Sequence, residues 1–526
     1  MAGLTDAPDA RHVHSPWIVA ISVMLGTFMV VLDTTIVNVS LPHIAGTLSA
    51  SIEESTWALT TYLAANAIIL PITGWLANFF GRRRLLLISV AGFTAASLLC
   101  GLATSLPLLI LWRIVQGMTG GVLQPLSQAI MLEVFEPKDR GKAMALFGLG
   151  VVVAPVLGPV LGGWLTDNYS WRWIFYVNLP VGIAAYFMLR AYVFDPSYIK
   201  RGAGGIDYWG ISLLAIGIAA LQIGLDQGQL EDWFSSKLII TLAALAVAGL
   251  GGFIWHALTA EHPVVDLRLF KEPTFATGIV LVTAMGFGLY GSMVLMPVLL
   301  QTLLGYPSLQ AGFAMAPRGM GSLVAMPIIG LLMNRVDPRK MLGLGFFVNA
   351  ATLYWMGWLN LQAGFWDIFW PQFVQGIGMG LLFVPLTTVS MDRISQKDMG
   401  SATSLFNLVR NIGGAAGIAV VQTILARGRQ EHFNILGAHV NQYSATTRAM
   451  VEGMRSAFIA AGADVATATQ RANAALFGSV MKQAAMISFL DSFKLLAYVF
   501  LLLMPLIFLM RKPQHHEAGD SIIVGE

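Results

Sequence analysis

The chain has 526 residues, 56% hydrophobic and only 11% charged, with a mean hydropathy of +0.70. Soluble domains carry about a quarter charged residues, so this composition excludes a soluble protein and marks a polytopic membrane protein. The net charge of +3 is too small to suggest nucleic acid as a partner, and the single cysteine, Cys100, excludes an intramolecular disulfide and reads as a small buried hydrophobe.

A helix needs about 20 mostly apolar residues to cross the hydrocarbon. Fourteen such runs follow in chain order, near residues 17–40, 55–79, 84–104, 107–132, 142–166, 173–192, 207–226, 238–258, 274–300, 310–333, 340–360, 367–391, 401–425 and 487–510. The residues before the first run are polar and include Arg11, but the run is too long for a signal-peptide core and lacks a small-residue cleavage site. It is therefore read as an uncleaved span.

Span one contains Leu32-Asp-Thr-Thr-Ile-Val-Asn-Val-Ser-Leu-Pro42. Asp33, Val37 and Ser40 share one helical stripe, and Thr34 with Asn38 the next. Such a polar arc points to a wet cavity. Span two closes with Gly74-Trp-Leu-Ala-Asn-Phe-Phe-Gly-Arg-Arg-Arg84, and span four carries Arg113, Gln116 and Gly117. Span five holds Gly150, Pro155, Gly158, Pro159, Gly162 and Gly163. Its small residues allow close packing and its prolines bend the helix, which suits either a gate or a plain tight contact. Further ionisable residues lie in span ten (Arg318), thirteen (Arg410) and fourteen (Asp491 with Lys494). Ionisable groups inside spans are costly and default to functional roles.

Two segments recur. Gly74 to Arg84 returns, imperfectly, as Gly330-Leu-Leu-Met-Asn-Arg-Val-Asp-Pro-Arg-Lys340, 256 positions later. Lys138-Asp-Arg-Gly-Lys-Ala-Met-Ala-Leu-Phe147 returns as Lys397-Asp-Met-Gly-Ser-Ala-Thr-Ser-Leu-Phe406 at an offset of 259, as do Gln116, Gly117 and Gly121 at Gln375, Gly376 and Gly380. The chain is thus a duplicated membrane unit, a construction that surrounds a midplane cavity and alternates its access by rocking. The expected fold is an all-α membrane protein with a six-plus-two-plus-six arrangement. Residues 1–200 form the first six-helix bundle, 201–270 two inserted helices, and 271–526 the second bundle with a long outward segment at 426–486.

The Lys/Arg census orients it. With the N-terminus inside, the inward segments hold Arg11, Arg82, Arg83, Arg84, Lys138, Arg140, Lys142, Arg190, Lys200, Arg201, Arg268, Lys271, Arg335, Arg339, Lys340, Arg393, Lys397, Arg511 and Lys512. The short outward loops hold Arg172 and Lys237 only. The positive-inside rule then places both termini in the cytoplasm.

Asp33 is the one carboxylate deep in the first unit's spans, so it is the candidate proton carrier, and changing its separation from Arg113 would load and release a proton. The alternative is a fixed pair joining two helices. At offset 259 Arg113 corresponds to Gln372, while Arg410 stands where the first unit has Val151. Arg318 and Arg410 either recruit anionic or polarisable substrate or serve as structural pairs and carbonyl caps. The polar residues expected to line the cavity are Asn38, Asn66, Gln116, Gln124, Tyr290, Arg318 and Arg410. Asp491 and Lys494, three apart, read as a local pair.

These residues resemble the major facilitator superfamily, and within it the fourteen-span, EmrB-like drug:proton antiporters. Gly74 to Arg84 is similar to the loop signature between spans two and three, Arg113 with Gln116 and Gly117 to the span-four signature, and Gly158-Pro-Val-Leu-Gly162-Gly163 to the antiporter signature of span five. Leu32 to Val39 and Trp171-Arg-Trp-Ile-Phe-Tyr-Val-Asn-Leu-Pro180 resemble marks of the fourteen-span group. The resemblance covers nearly the whole chain. It implies proton-driven export of hydrophobic or amphipathic drugs across the bacterial inner membrane, without a cofactor or metal, by proton coupling at Asp33 and Arg113. It also implies a cytoplasmic gate loop at Gly74, Asn78, Gly81, Arg82, Arg83 and Arg84 and an antiporter motif at Pro155, Gly158, Pro159, Gly162 and Gly163. Asn78 departs from the pattern, which has Asp there, so the latch either weakens or borrows another acid. The plain alternative for the three arginines is topogenic charge.

EmrB-like pumps of double-membraned bacteria act with a periplasmic adaptor and an outer-membrane channel. Residues 474–486 could be a helix that docks such an adaptor or one that lies over the transporter's own mouth. A membrane enzyme finds no support, since no histidine (His12, His14, His43, His256, His262, His432, His439, His515, His516) lies deep in a span and no metalloprotease, Walker A or serine-nucleophile signature is present. A specific metabolite transporter or a transporter-like sensor remains as an alternative.

Overall fold

In hydrocarbon every backbone N–H and C=O must be satisfied within its own segment, and the described residues answer with helices alone. The computed structural model describes residues 15–195, 207–260, 263–441 and 443–511. Arg11, Lys200, Arg201 and Lys512 of the charge census, with His12, His14, His262, His515 and His516, lie outside them. The helices are α1 (Pro16–Thr47), α2 (Ile52–Phe80), α3 (Arg82–Gly101), α4 (Leu106–Val134), α5 (Arg140–Asn168), α6 (Trp173–Tyr176), α7 (Asn178–Tyr192), α8 (Tyr208–Gln227) and α9 (Lys237–Thr259). They continue as α10 (Pro273–Val298), α11 (Ser308–Leu332), α12 (Pro338–Met356), α13 (Phe365–Met391), α14 (Met399–His439), α15 (Ala445–Ala460) and α16 (Val465–Leu503).

Among the described residues thirteen helical segments are long and apolar enough to cross a membrane, α6 and α7 together making one of them. The expected eleventh span is the shorter α12, which begins with Arg339 and Lys340 and carries Asn349; with it the crossings number fourteen. Local signals set several ends. Ser51 and Glu54 form a reciprocal capping box at the start of α2, with the Glu54 N–H donating to Ser51 Oγ at 3.0 Å and the Ser51 N–H to Glu54 Oε2 at 2.8 Å. Gly81, at φ +87°, makes the turn between α2 and α3.

The packing repeats. In the first bundle α1 packs on α5 and α7, α2 on α4, and α3 on α4 and α7. In the second, α10 packs on α14 and α16, α11 on α13, and α12 on α13 and α16. The bundles meet along α5 with α11 and along α14 with α2, again a matched pair. At the face where α1 begins, the duplicated segments engage crosswise. The end of α2 meets the start of α14, so close that a Cβ on Gly74 would lie 2.6 Å from the Ser401 backbone nitrogen. The end of α11 meets the start of α5, where Asn334 Nδ2 donates to the Lys138 carbonyl at 2.7 Å. The marks that betray the duplication are therefore the ones that close this face.

α8 and α9 form a hairpin that packs, through α8, on α2 and α14. One end is pinned by Asp207, which accepts from the Gly210 N–H at 2.8 Å, the Val264 N–H at 3.1 Å and pairs with His256 Nε2 at 2.7 Å. At the opposite end Thr60 of α2 donates to the Asp226 carboxylate and accepts from Gln227 Nε2 at 3.3 Å. From the same turn Trp233 Nε1 donates to Thr423 of α14 at 2.9 Å. Asp232 and Trp233 both hold left-handed backbone, at φ +52° and +51°, a strained arrangement kept only where surrounding contacts impose it.

Two helices overrun their expected spans. α14 has 41 residues and α16 has 39, about 60 Å each at 1.5 Å per residue, roughly twice the hydrocarbon thickness of about 30 Å. Residues 474–486 therefore do not form a separate helix. They are part of α16, paired with the extended α14 through Phe433 and Phe477, whose ring centroids are 5.2 Å apart, and α15 packs on α16. Asp491 pairs not with Lys494 but with His432 on α14, at 2.8 Å. Spacing alone favours the i,i+3 neighbour, but α14 supplies a competing imidazole nitrogen across the interface.

Candidate functional site

Five helices converge on Asp33. Its α1 helix is set by α5, whose small residues face the next turn of α1: a Cβ on Gly158 would lie 3.1 Å from the Ile36 nitrogen, and one on Gly162 2.7 Å from the Ile36 carbonyl oxygen. A Cβ on Gly163 would be in ordinary contact with Val39 at 3.8 Å. Pro155 and Pro159 sit in the same continuous helix. The antiporter motif thus seats α1 flush against α5 beside the carboxylate.

Asp33 is fully buried, and its Oδ2 accepts from Arg113 Nη1 of α4 at 2.5 Å. Its Oδ1 accepts from Gln116 Nε2 at 3.0 Å and from Asn178 Nδ2 at 2.9 Å. Arg113 in turn donates through Nε to the Ala58 carbonyl at 3.1 Å and through Nη1 to Gln116 Oε1 at 2.8 Å, while its guanidinium lies 4.0 Å from the Tyr62 ring centroid. Asn178 also donates to Ser97 Oγ of α3 at 3.0 Å. Charge pairing, hydrogen bonds and a cation–π contact therefore hold both ions in a water-poor interior. The predicted Asp33–Arg113 pair is present.

Gln116, one helical turn beyond Arg113 and fully buried, is bonded into this ring. Asn178, Ser97 and Tyr62 were missed as site residues. Asn178 lies within the Trp171 to Pro180 segment, and it reaches Asp33 because span six breaks at Val177 between α6 and α7.

The second bundle repeats the ring with different chemistry. Arg318 of α11 donates through Nε to Gln372 Oε1 at 2.9 Å and through Nη2 to Ser292 Oγ of α10 at 3.2 Å and to Gln375 Oε1. Gln372 and Gln375 stand 259 positions after Arg113 and Gln116, Ser292 stands 259 after Asp33, and Arg318 stands 256 after Tyr62. The backbone agrees, since Gly117 packs on the Tyr62 carbonyl and Gly376 on the Arg318 carbonyl. Arginine has changed helix, and the acid has become serine. Arg410 of α14, also fully buried, has Tyr290 as its polar neighbour. Of the remaining expected cavity residues, Gln124 is nearly buried, Asn66 and Tyr290 half-buried and Asn38 exposed.

The gate loop borrows its acid. Asn78 is exposed, and Arg82 pairs with Glu133 of α4. The Arg83 N–H donates to Asp195 Oδ1 at 2.8 Å, and its side chain donates to the Arg190 carbonyl at 2.5 Å. Arg84 is exposed. Arg82 and Arg83 thus engage their own bundle, and the contact with the other bundle passes through Gly74.

The sequence profile of the Major Facilitator Superfamily matches residues 23–418. The chain belongs to this superfamily, in its EmrB-like branch. It is 37% identical to the fatty acid resistance protein FarB of Neisseria gonorrhoeae, over 98% of this chain and 99% of that one. It is 37% identical to the multidrug export protein EmrB of Escherichia coli K12, over 94% and 95% of the two chains. With EmrB of Haemophilus influenzae the identity is 39%, over 83% and 86%. The human organic anion transporter MFSD10 shares the fold, at a TM-score of 0.58 and 14% identity over 94% of this chain and 100% of that one. As a superfamily member the protein is a multi-pass membrane transporter, of a family whose members are not enzymes.

Proposed function

We propose that this exporter exchanges protons for hydrophobic or amphipathic drugs and toxins across the bacterial inner membrane by alternating access, with both termini in the cytoplasm. The observation that carries the reading is the Asp33 ring. Among the described residues Asp33 is the one fully buried acid, and its hydrogen-bond partners come from two other helices, α4 and α7, so relative motion of those helices changes its charge balance. A proton entering at Asp33 releases Arg113 from its counter-ion, and departure of the proton restores the pair. A static pair explains the geometry less well, because a buried ion pair is rarely more stable than an apolar replacement. Each proton supplies roughly 2.3 kcal/mol per 100 mV and about 1.4 kcal/mol per pH unit.

The paired extensions of α14 and α16, with α15 beside them, support docking of a periplasmic adaptor that leads to an outer-membrane channel. A cleft of about 710 Å³ between Val440, Arg448, Glu452, Asn473 and Leu476 lies on this projection. The deciding experiment is proton-coupled efflux in inverted vesicles. Asp33→Asn is expected to abolish exchange while retaining substrate binding, and wild-type exchange by that variant removes Asp33 from the mechanism.

A further inference from the structure

Helix α2 stands between two acids. One of its faces holds the Arg113 guanidinium, through the Ala58 carbonyl and the Tyr62 ring. Thr60 lies midway between these residues, and two residues turn an α-helix by about 200°, so its side chain points the other way, to α8. There its hydroxyl donates to Asp226 Oδ2 and accepts from Gln227 Nε2 at 3.3 Å. Asp226 therefore lies at the level of the Asp33 pair, behind it by roughly 10 Å, the diameter of one helix.

Asp226 is the one charged residue of α8, half-buried at the end that the proposed topology turns outward. Ionisable groups inside spans are costly and default to functional roles. On the elements packed against α8, Glu54 of α2 closes the capping box with Ser51, and Glu231 of the following turn accepts from Ser236 at 3.0 Å. Asp232 of that turn, Lys237 of α9, and Arg410, Arg427 and Arg429 of α14 form no ion pair with Asp226. Its hydrogen-bonded neighbour is a neutral hydroxyl, so it can gain a proton without giving up a counter-ion. Thr60 is equipped for both states, because its hydroxyl has a second acceptor in the Thr56 carbonyl, 3.3 Å away. With Asp226 ionised, the hydroxyl donates to the carboxylate. With Asp226 protonated, the carboxylic O–H donates to Thr60 Oγ and the threonine hydroxyl turns to Thr56. The two lone pairs of Thr60 then serve Asp226 and Gln227, so neither state strands the hydroxyl.

We propose that Asp226 is a second proton-binding carboxylate of the exchange cycle, linked to the Asp33 and Arg113 pair through α2. This rests on the antiport reading above and gives the inserted hairpin a part in coupling. When a proton on Asp33 releases Arg113, the contacts of Arg113 with Ala58 and Tyr62 change. A shift of α2 that follows moves Thr60 against Asp226, and protonation of Asp226 acts back along the same helix. The step adds one proton to a carboxylate and breaks no covalent bond.

The test uses the full-length protein in lipid nanodiscs and follows the C=O stretch of protonated carboxyl groups by infrared difference spectroscopy as pH is lowered. The wild type is expected to show a band that Asp226→Asn deletes and whose midpoint Asp33→Asn shifts. Asparagine keeps an oxygen for Thr60 to donate to, so the deletion reports the proton and not the hydrogen bond, and thermal unfolding of each sample reports its fold. Thr60→Val keeps the acid but removes the acceptor of its O–H, and is expected to move the band to higher frequency. Identical spectra of wild type and Asp226→Asn, or a band indifferent to Thr60→Val, would overturn the site; a band indifferent to Asp33→Asn would overturn its link to the pair. In inverted vesicles with ethidium as cargo, the protons exchanged per ethidium are expected to fall in Asp226→Asn, by one or to none. The two readings fail separately. A complete set of infrared shifts without proton-coupled efflux refutes antiport and leaves the proton site, whereas efflux by Asp226→Asn at the wild-type proton count refutes the second proton alone.

Discussion

Ser292 stands in the second bundle where Asp33 stands in the first, 259 positions away and bonded to the corresponding ring. A duplicated scaffold has thereby kept two polar rings of one shape and given only one of them an acid. The consequences for individual side chains are open to measurement.

Asn178, contributed by span six, holds Asp33 Oδ1 at 2.9 Å. Asn178→Leu removes this donor and leaves an acceptor of a buried carboxylate short of a partner, at a cost of about 1–3 kcal/mol. A lower melting temperature in detergent together with weakened proton-coupled export is expected; unchanged values in both would remove Asn178 from the ring.

Gly162 and Gly163 are neighbours with different surroundings. Gly162→Ala drives a methyl group into the Ile36 carbonyl, where 2.7 Å is available, while Gly163→Ala meets Val39 at 3.8 Å. Overpacking costs roughly 1–3 kcal/mol, so the first substitution is expected to depress stability and export rate far more than the second. Equal effects would mean that α1 and α5 are not held by this contact.

Glu133 supplies the charge that Asn78 lacks. Glu133→Gln removes the carboxylate that pairs with the almost wholly buried Arg82, and breaking such a pair costs on the order of 3 kcal/mol. Thermal unfolding of the purified protein should register this loss, whereas Arg84→Ala, on an exposed residue, should scarcely move it.

Asp207 caps α8 from just before the membrane-spanning segment Tyr208–Gln227. Burial pushes its carboxyl up, yet hydrogen bonds from Gly210, His256 and Val264 outweigh that and hold it below the usual carboxylate range. A depressed folded value means that the contribution is fully present above the unfolded value of about 3.9 and is lost as pH falls through the folded one. Asp207→Asn should therefore lower stability at neutral pH, by about 0.5–2 kcal/mol for a cap. The gap between variant and wild type should close on acidification below pH 4.

Much of this arrangement is legible in the chain. The apolar runs locate the crossings because membrane interiors demand length and hydropathy, and the offset of 259 places Gln372 opposite Arg113. The Arg318 ring is less legible because α2 matches α11 at an offset of 256 while α4 matches α13 at 259, and neither offset says that the polar residues of these helices meet. Asn178 depends on a helix break that Pro180 signals, but the partner it reaches across the bundle is set only by packing. The extensions of α14 and α16 are hidden for another reason: hydropathy ends where the membrane ends, but polar residues continue a helix in water when a partner helix lies alongside.

The turn between α8 and α9 is fastened to Thr60 of α2 on one side and to Thr423 of α14 on the other. The inserted hairpin is therefore more than a spacer threaded between the two copies. Any rocking that alters the distance between those two threonines must release one fastening or drag the whole hairpin along. The transport cycle thus carries a mechanical detent, and the height of that detent is tunable by residues that touch neither proton nor cargo.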